Sequence, residues 1–469
     1  MQNVWDRNPE NTDPRQAPDA LIDLQDVPPS DPAQTIRRAA PLISPRTGII
    51  RTINQGVFCP GDPECFSFGV TTCDISQFTN QANTSKAGGA GLTLEAALAA
   101  TIGETAERYA MLFYNQDNMV LDSAKNLKDK AVAPALMSLL SPQQLAARPS
   151  ATQYFDENTV IRWVWGYSLT HQCWRLVPAS QVYMSYQPGP DEARIESNAS
   201  SGLSASSSFE EATLSGLYEV IERDAFTIAW LHRRIKRQVT TKNNPLDSLL
   251  NQRFHASDSQ VNVTVYDITL DIPVHCSWVV MRRPSEFGPV IAVGSAARLS
   301  PQAAMTKSIL EIGQTMSYLR YLRQEDEDWQ PASNFSDITS FDKHCSLYVK
   351  QPQLINDTLA SLQSSKQSIN ASTLKDQSTG SVKGDLLKVV VFLAKLGYET
   401  IVVDITTADI AQVGLRVVRV IVPGLVPLHG NHNWPFLGVN RLFTISQEMG
   451  WSSVPTNPEL LNPLPHPFP

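Results

Sequence analysis

The sequence predicts an α+β protein in which mixed sheets are packed by helices that carry carboxylates. Three observations lead there. Three well-separated segments repeat apolar residues at helical spacing, and each keeps an acidic second face. Between them lie groups of short stretches rich in branched and aromatic residues, which read as strands. Near the C-terminal end a helix-strand-strand rhythm runs through residues 386–396, 399–404 and VVRVIVPG, as expected for layers around a shared sheet.

A chain of 469 residues is long enough for a sizeable core, and 42% hydrophobic with 18% charged residues is ordinary for a soluble globular protein. The formal net charge of -8 argues against nucleic acid as the main partner. Any anion site must therefore be local. No apolar run reaches membrane-spanning length, VVVFLA from Val389 being the strongest, and no secretory signal opens the chain. A cytoplasmic protein is expected, without a membrane partner.

Taken in order, residues 1–48 are polar and rich in Pro, Asp and Asn, and read as a flexible or docking arm. The main body is expected over 49–469. Residues 49–79 are strand-and-turn text holding Cys59, Cys65 and Cys73, which lack a Cys-x-x-Cys pair and read as reduced structural thiols ahead of a zinc site. The first acidic helix follows in LTLEAALAATIGETAERYAMLF, with Leu98, Ile102, Ala106, Tyr109 and Phe113 as its apolar stripe. A second helix pair is expected around 124–147. IRWVWGYSLT and QVYMSY then read as two strands of a hairpin-like floor, where Trp163, Trp165 and Trp174 are purine-stacking candidates but more ordinarily core.

The central helix comes next. A small-residue loop, SGLSASSS, ends in hydroxyls suited to cap a helix starting near Phe209, whose first turn holds Glu210 and Glu211. Leu214, Leu217, Ile221, Ala225 and Ile228 form the stripe that faces a core, and Glu211, Glu219, Glu222 and Arg223 fall elsewhere. VNVTVYDITLD, IPVHCSWVVMRR and PVIAVGSAA are three strands, the last two pairing through SEFG. A third helix buries Met305, Ile309, Ile312, Met316 and Leu319 and presents Lys307, Glu311 and Gln314. Residues 333–384, with weak periodicity, read as a variable surface insertion, or else as a helical region with a weak pattern. A proline-rich tail closes the chain over 462–469.

A charged helix face taken alone is a solvated surface. Here the Glu-x-x-Glu-Arg grammar occurs twice, as Glu104, Glu107, Arg108 and as Glu219, Glu222, Arg223. Converging carboxylates repel each other unless cations lie between them. Magnesium, a hard ion that prefers oxygen and usually joins a few carboxylates to nucleotide phosphates, is the natural candidate. Arg108, Arg223 and Lys307 are then placed to meet phosphate oxygens. No Walker-type or kinase-type glycine loop is present, so the expected nucleotide site lacks a phosphate loop.

These helices, in this order, resemble the YcaO family, whose ATP site is built from carboxylate-bearing helices. The stretch SSGLSASSSFEEATLSGLYEVIERDA, residues 200–225, is similar to the family's second motif, with Ser201 and Ser207 where asparagines usually stand. Ala90 lies between Gly89 and Gly91 where the family often has lysine, and Lys86 is the candidate replacement. The ending LNPLPHPFP resembles the Pro-x-Pro-x-Pro of the azoline-forming branch.

The resemblance implies a YcaO-type fold, ATP and Mg2+ as cofactors, and an ATP-dependent peptide cyclodehydratase. Its substrate would be a ribosomally made precursor peptide, whose Cys, Ser or Thr become thiazolines or oxazolines. It implies metal ligands at Glu104, Glu107, Glu211, Glu219 and Glu222, and nucleotide contacts by Lys86, Arg108, Ser207, Arg223, Lys307, Glu311 and Gln314. Supporting catalytic roles fall to Pro465, Pro467 and Pro469, whose carboxylate would assist proton transfer. A leader-binding partner protein and a homodimer belong to the same expectation. The readings set against it are a sibling enzyme forming thioamides or macroamidines, and a non-catalytic docking scaffold.

Overall fold

The computed structural model describes residues 13–19, 21–76, 79, 86–148, 151–184, 186–285, 288–364 and 366–468. Seven helices organise the fold: α1 (Pro32–Ala39), α2 (Leu94–Ala110), α3 (Phe209–His232), α4 (Pro301–Glu325), α5 (Phe341–Lys350), α6 (Val382–Lys395) and α7 (Arg441–Glu448). The chain alternates helices with sheets in layers. A six-stranded sheet and a five-stranded sheet enclose α3, while α2 covers the far face of the first and α4 the far face of the second.

Period-two alternation makes this layering work, because successive side chains leave a strand on opposite faces. In the six-stranded sheet Val402, Val418 and Val420 pack on the α3 side, while Ile401, Val403, Val417 and Ile421 pack on the α2 side. In the five-stranded sheet Trp278, Val280 and Val293 face α3, and Val279, Met281 and Ala292 face α4. Both faces of both sheets are covered. Leu217, Ile221, Ala225 and Ile228 of α3 are buried in the core between the two sheets, a burial that stabilises at about 25 cal/mol per Å² of apolar surface.

Small residues bring the helices close to the strands. A Cβ on Gly216 of α3 would lie 2.7 Å from the Gly202 carbonyl oxygen, and one on Gly202 would lie 2.2 Å from that of Val420. Gly202 also has φ +86°, which favours glycine. Gly89 meets the backbone of α2 and Gly294 that of α4 at 2.5 and 2.1 Å by the same measure.

The expected apolar stripes of α3 and α4 are buried throughout. On α2, Ile102 and Ala106 are buried and Leu98 is half-buried, while Phe113 lies past the helix end. Strands Asn262–Asp267, His275–Ser285 and Gly288–Arg298 pair antiparallel in the expected order. The late rhythm holds too: α6 is followed by strands Ile401–Asp404 and Arg416–Ile421, which pair with each other.

Three local expectations need correction. Strand Val160–Ser168 does form a hairpin, but its partner is Cys173–Pro178, and part of QVYMSY is the short helix Ala179–Val182. Around 124–147 there are only the short helices Ala124–Leu127 and Pro142–Ala147 with two single 3-10 turns between them. Residues 333–384 are not a surface insertion along their length, since α5 buries His344, Leu347 and Tyr348 against the main core. Within residues 1–48, α1 buries Ala39, Gln25 N–H donates to Glu210 at 2.8 Å, and Lys383 donates to the Leu24 carbonyl at 2.6 Å.

The tryptophans are structural. Trp163 is fully buried and donates to the Asp122 carbonyl at 3.0 Å, Trp165 donates to that of Pro14 at 2.9 Å, and Trp174 packs edge-on against Tyr167. Cys65 is buried, and Cys59 and Cys73 are half-buried. Among the described residues no helix is long and apolar enough to cross a membrane.

Candidate nucleotide and metal site

Three sheet edges meet at the carboxylates. Strand Leu203–Ser206 ends the six-stranded sheet, strand Gly288–Arg298 ends the five-stranded sheet, and strand Lys86–Gly91 ends a three-stranded one. An edge strand carries unpaired backbone groups that need partners. Here the helices supply them. Ala205 N–H donates to Glu107 of α2 at 2.7 Å, Ser295 N–H donates to Glu311 of α4 at 3.2 Å, and Gln314 of α4 donates to the Gly88 carbonyl at 3.1 Å. Each contact fixes one site residue against one sheet.

Arg223 of α3 is the hub. Its Nε lies 3.6 Å from Glu219 and 3.8 Å from Glu222, and Glu311 and Glu104 also act on it. Burial would lower its affinity for a proton, but these four carboxylates outweigh that and hold it above its ordinary value. Arg108 is drawn to Glu104 one turn earlier on α2, with Nε to Oε1 at 2.7 Å. Lys307, its side chain 46% exposed, lies 3.4 Å from Glu311.

The carboxylates are not satisfied by this. Burial, then Glu104 and Glu219, push Glu107 well above the usual carboxylate range. Burial also raises Glu219, against the pull of Arg223. Glu222, only 5% exposed, is pushed up to about 8 by burial, with Glu311 and Glu219 adding to it and Arg223 opposing. Its Oε1 is buried with no hydrogen-bond partner among the described residues.

Sequence reading missed Arg419. It takes an α2-facing position in VVRVIV, is 1% exposed, and donates to the carbonyls of Gln181 at 3.1 Å and Ala199. Its Nη1 has no hydrogen-bond partner among the described residues, burial lowers it to about 10, and Glu219 resists that fall. The one signal was a cation set between apolar residues in VVRVIV.

Not every expected residue joins this group. Glu211 precedes Glu219 by eight residues, or about 12 Å of helix rise. It sits instead in a hydroxyl cluster where Ser30 N–H donates to it at 3.1 Å and the hydroxyls of Ser30 and Ser206 also reach it. Ser207 contacts Ser30 there. Lys86 begins its edge strand, and its side chain lies outside what is described. Pro469 lies outside the described residues as well.

The tail does reach the hub. Pro465 and Pro467 are buried, and the Phe468 ring lies against Phe226 at 4.9 Å and under the Arg223 guanidinium at 4.2 Å. Trp230 of α3 donates to the Leu464 carbonyl at 3.0 Å, which ties the tail to the helix that bears the glutamates.

A family profile described as YcaO cyclodehydratase, ATP- and Mg2+-binding, matches residues 88–426. The chain belongs to the YcaO family. It is 28% identical over 298 residues to an uncharacterized protein of Methanothermobacter thermautotrophicus, covering 61% of this chain and 70% of that one. Its fold is similar to a heterocyclase in complex with substrate and cofactor, with TM-score 0.77 and 23% identity. That match covers 96% of this chain and 59% of the heterocyclase, so the chain spans under two thirds of that protein's length. A YcaO protein from Methanopyrus kandleri bound with AMPPCP and Mg2+ matches with TM-score 0.59 and 18% identity, over 85% of this chain and 92% of that one.

ATP and Mg2+ are thus the cofactors of this YcaO chain, and its residues fit them. Raised carboxylates and an orphaned buried Oε1 call for a hard cation, and an orphaned guanidinium nitrogen calls for an anion. Among the described residues no group of three or more His, Cys, Asp or Glu side chains is arranged to hold one metal ion. Magnesium suits that arrangement, since it takes one or two carboxylates and completes its shell with phosphate oxygens and water.

Proposed function

We propose that this YcaO chain is an ATP-dependent cyclodehydratase, acting on a ribosomally made precursor peptide whose Cys, Ser or Thr it closes into thiazoline or oxazoline. The observation that carries this reading is the position of Arg223, beside Glu219 and Glu222 of α3, within the electrostatic influence of Glu104 of α2 and Glu311 of α4, and over the Phe468 ring of the proline tail. When bound, magnesium and ATP supply charge neutralisation and the phosphoryl group that makes the amide oxygen able to leave. Glu104, Glu107, Glu219 and Glu222 would offer the oxygen donors, one or two carboxylates to each magnesium ion. Glu211 and Ser207 extend the site toward the start of α3.

Arg108 and Arg223 meet phosphate oxygens, each oriented beforehand by a glutamate one turn away. Arg419 adds a third cation from the sheet side. Lys307, Glu311 and Gln314 border the nucleotide from α4, with Lys86 opposite. The proline tail, stiff because alternating prolines leave it little freedom, keeps water from the reacting amide. Pro465, Pro467 and Pro469 serve that role.

A leader-binding partner presents the precursor, and the enzyme works as a homodimer in the cytoplasm. The chain alone should release phosphate slowly, and adding the partner should accelerate it. The decisive test is peptide-dependent phosphate release from ATP with mass analysis of the product. Each ring formed loses one water, and Glu219→Ala should cut the rate about a hundredfold or more. Phosphate release that survives Glu219→Ala, or a product of unchanged mass, would refute the reading.

A further inference from the structure

Four histidines cluster beside the site and have no part in the proposed chemistry. His344 of α5, His429 and His432 of the 422–434 stretch, and His466 of the tail have ring centroids 3.8 to 6.1 Å from Phe335, Phe341 or each other. His344 and His466 stack face to face at 3.8 Å, both about 1% exposed or less. Among the described residues these rings are not arranged to share a metal ion. They hold the tail instead.

The hydrogen bonds fix how. His344 Nδ1–H donates to the His466 carbonyl at 3.0 Å, and Tyr348 of α5 donates to the Pro465 carbonyl at 2.6 Å. His466 Nε2 lies 2.8 Å from the His429 carbonyl, and its Nδ1 lies 3.3 Å from Phe468 N–H. A carbonyl only accepts and an amide N–H only donates, so His466 is the neutral tautomer with its proton on Nε2. A second proton on Nδ1 would face the Phe468 N–H and place a cation against the His344 ring. Two residues on, the Phe468 ring is the part of the tail that touches Arg223.

We propose that His466, gripped by His344 and His429, is a positioning residue for the proline tail: neutral, it seats Phe468 against Arg223, and protonated, it unseats the tail. This rests on the cyclodehydratase reading only for its consequence in catalysis. The titratable groups acting on His466 are His344 from α5, His429 and His432 from the 422–434 stretch, and Arg223 from α3. His344, His432 and Arg223 disfavour a further positive charge, and only the His429 carbonyl, through its hydrogen bond, favours one. Burial first, and these neighbours next, hold His466 well below its ordinary value, so the seated tail binds fewer protons than the free one. Seating is therefore complete above the free value of 6.5 and is lost as pH falls below it.

The test follows hydrogen exchange at the Phe468 amide of the full chain from about pH 8 to about pH 5, corrected for the intrinsic pH dependence of exchange. Magnesium–ATP affinity is measured alongside by calorimetry. In the wild type, exchange should rise about tenfold per pH unit below 6.5. His344→Phe, which keeps a ring but loses the donor, should exchange fast at every pH. His344→Gln, which restores a donor, should be protected again. Magnesium–ATP affinity should be equal in all three, while ring formation on a Cys-containing peptide falls about a hundredfold in His344→Phe. Protection of Phe468 in wild type and His344→Phe alike across the range would overturn the proposal, as would a loss of ATP affinity in step with exchange. A wild type that binds no magnesium–ATP would refute the site reading, and the exchange data would still decide the clasp.

Discussion

Two neighbouring stretches of α3 bury acids in opposite ways. Asp224 has its oxygens taken by Arg441 Nε and Nη2, both at 2.9 Å, and by Val426 N–H at 2.9 Å, and Arg441 goes on to Asp271 and to the Tyr398 hydroxyl. Two residues earlier, Glu222 is nearly as buried, yet Arg223 stands 3.8 Å from its Oε1, which has no hydrogen-bond partner among the described residues. Burial is the same and completion differs. A closed ionic network ties α3 to α7 and serves the fold, whereas an under-satisfied one keeps coordinating capacity for something that arrives later.

The largest effect should come from opening the closed network. Arg441→Met leaves Asp224 and Asp271 without their partner and should cost about 3–5 kcal/mol of stability in denaturant titration. An unchanged midpoint would break the contrast between the two stretches. Glu222→Gln should do the reverse, raising the stability of the ligand-free protein by about 1 kcal/mol while diminishing the further gain from magnesium–ATP. Loss of stability there would mean that Glu222 belongs to the fold.

The pH dependence sharpens the same point. Glu222 is raised from 4.5 to about 8, so its favourable share of folding is whole below 4.5 and is lost as pH rises through about 8. Magnesium–ATP binding near neutral pH should therefore release protons, read as a binding enthalpy that changes with the buffer's heat of ionisation. The smallest effect belongs to the half-exposed Lys307 to Glu311 pair. Lys307→Ala should alter stability by less than about 1 kcal/mol and should weaken ATP binding most at low salt.

Legibility in the residues divides along the same line. The stripes of α3 and α4, the Ser208 cap that starts α3, and the strands through 262–298 all rest on regular spacing, and spacing is local information. The second strand of the 160–178 hairpin escaped because CWRLVP is short and interrupted by Arg175, whereas the neighbouring QVYMSY looked apolar enough to compete. In α5 a polar-looking FDKHCSLYVK hides buried His344, Cys345 and Ser346, so its core face could not be seen before its partners were known.

Within the site, the glutamates and arginines of α2 and α3 were legible from their repeated grammar. The position of the arm was not. It is held largely by backbone groups, Gln25 N–H, Ser30 N–H and the Leu24 carbonyl, which any residue possesses. Arg419 and the histidine clasp depend on strands and segments distant in sequence that only the folded topology brings together.

The glycine contacts bear on how this molecule moves. Gly89 presses one edge strand onto α2, Gly202 and Gly216 press another onto α3, and Gly294 presses the third onto α4, each closer than any side chain would permit. Every acidic helix is thereby welded to its own strand, and none slides along it. The acids of α2, α3 and α4 are therefore held at fixed heights against three sheet edges before any ligand arrives.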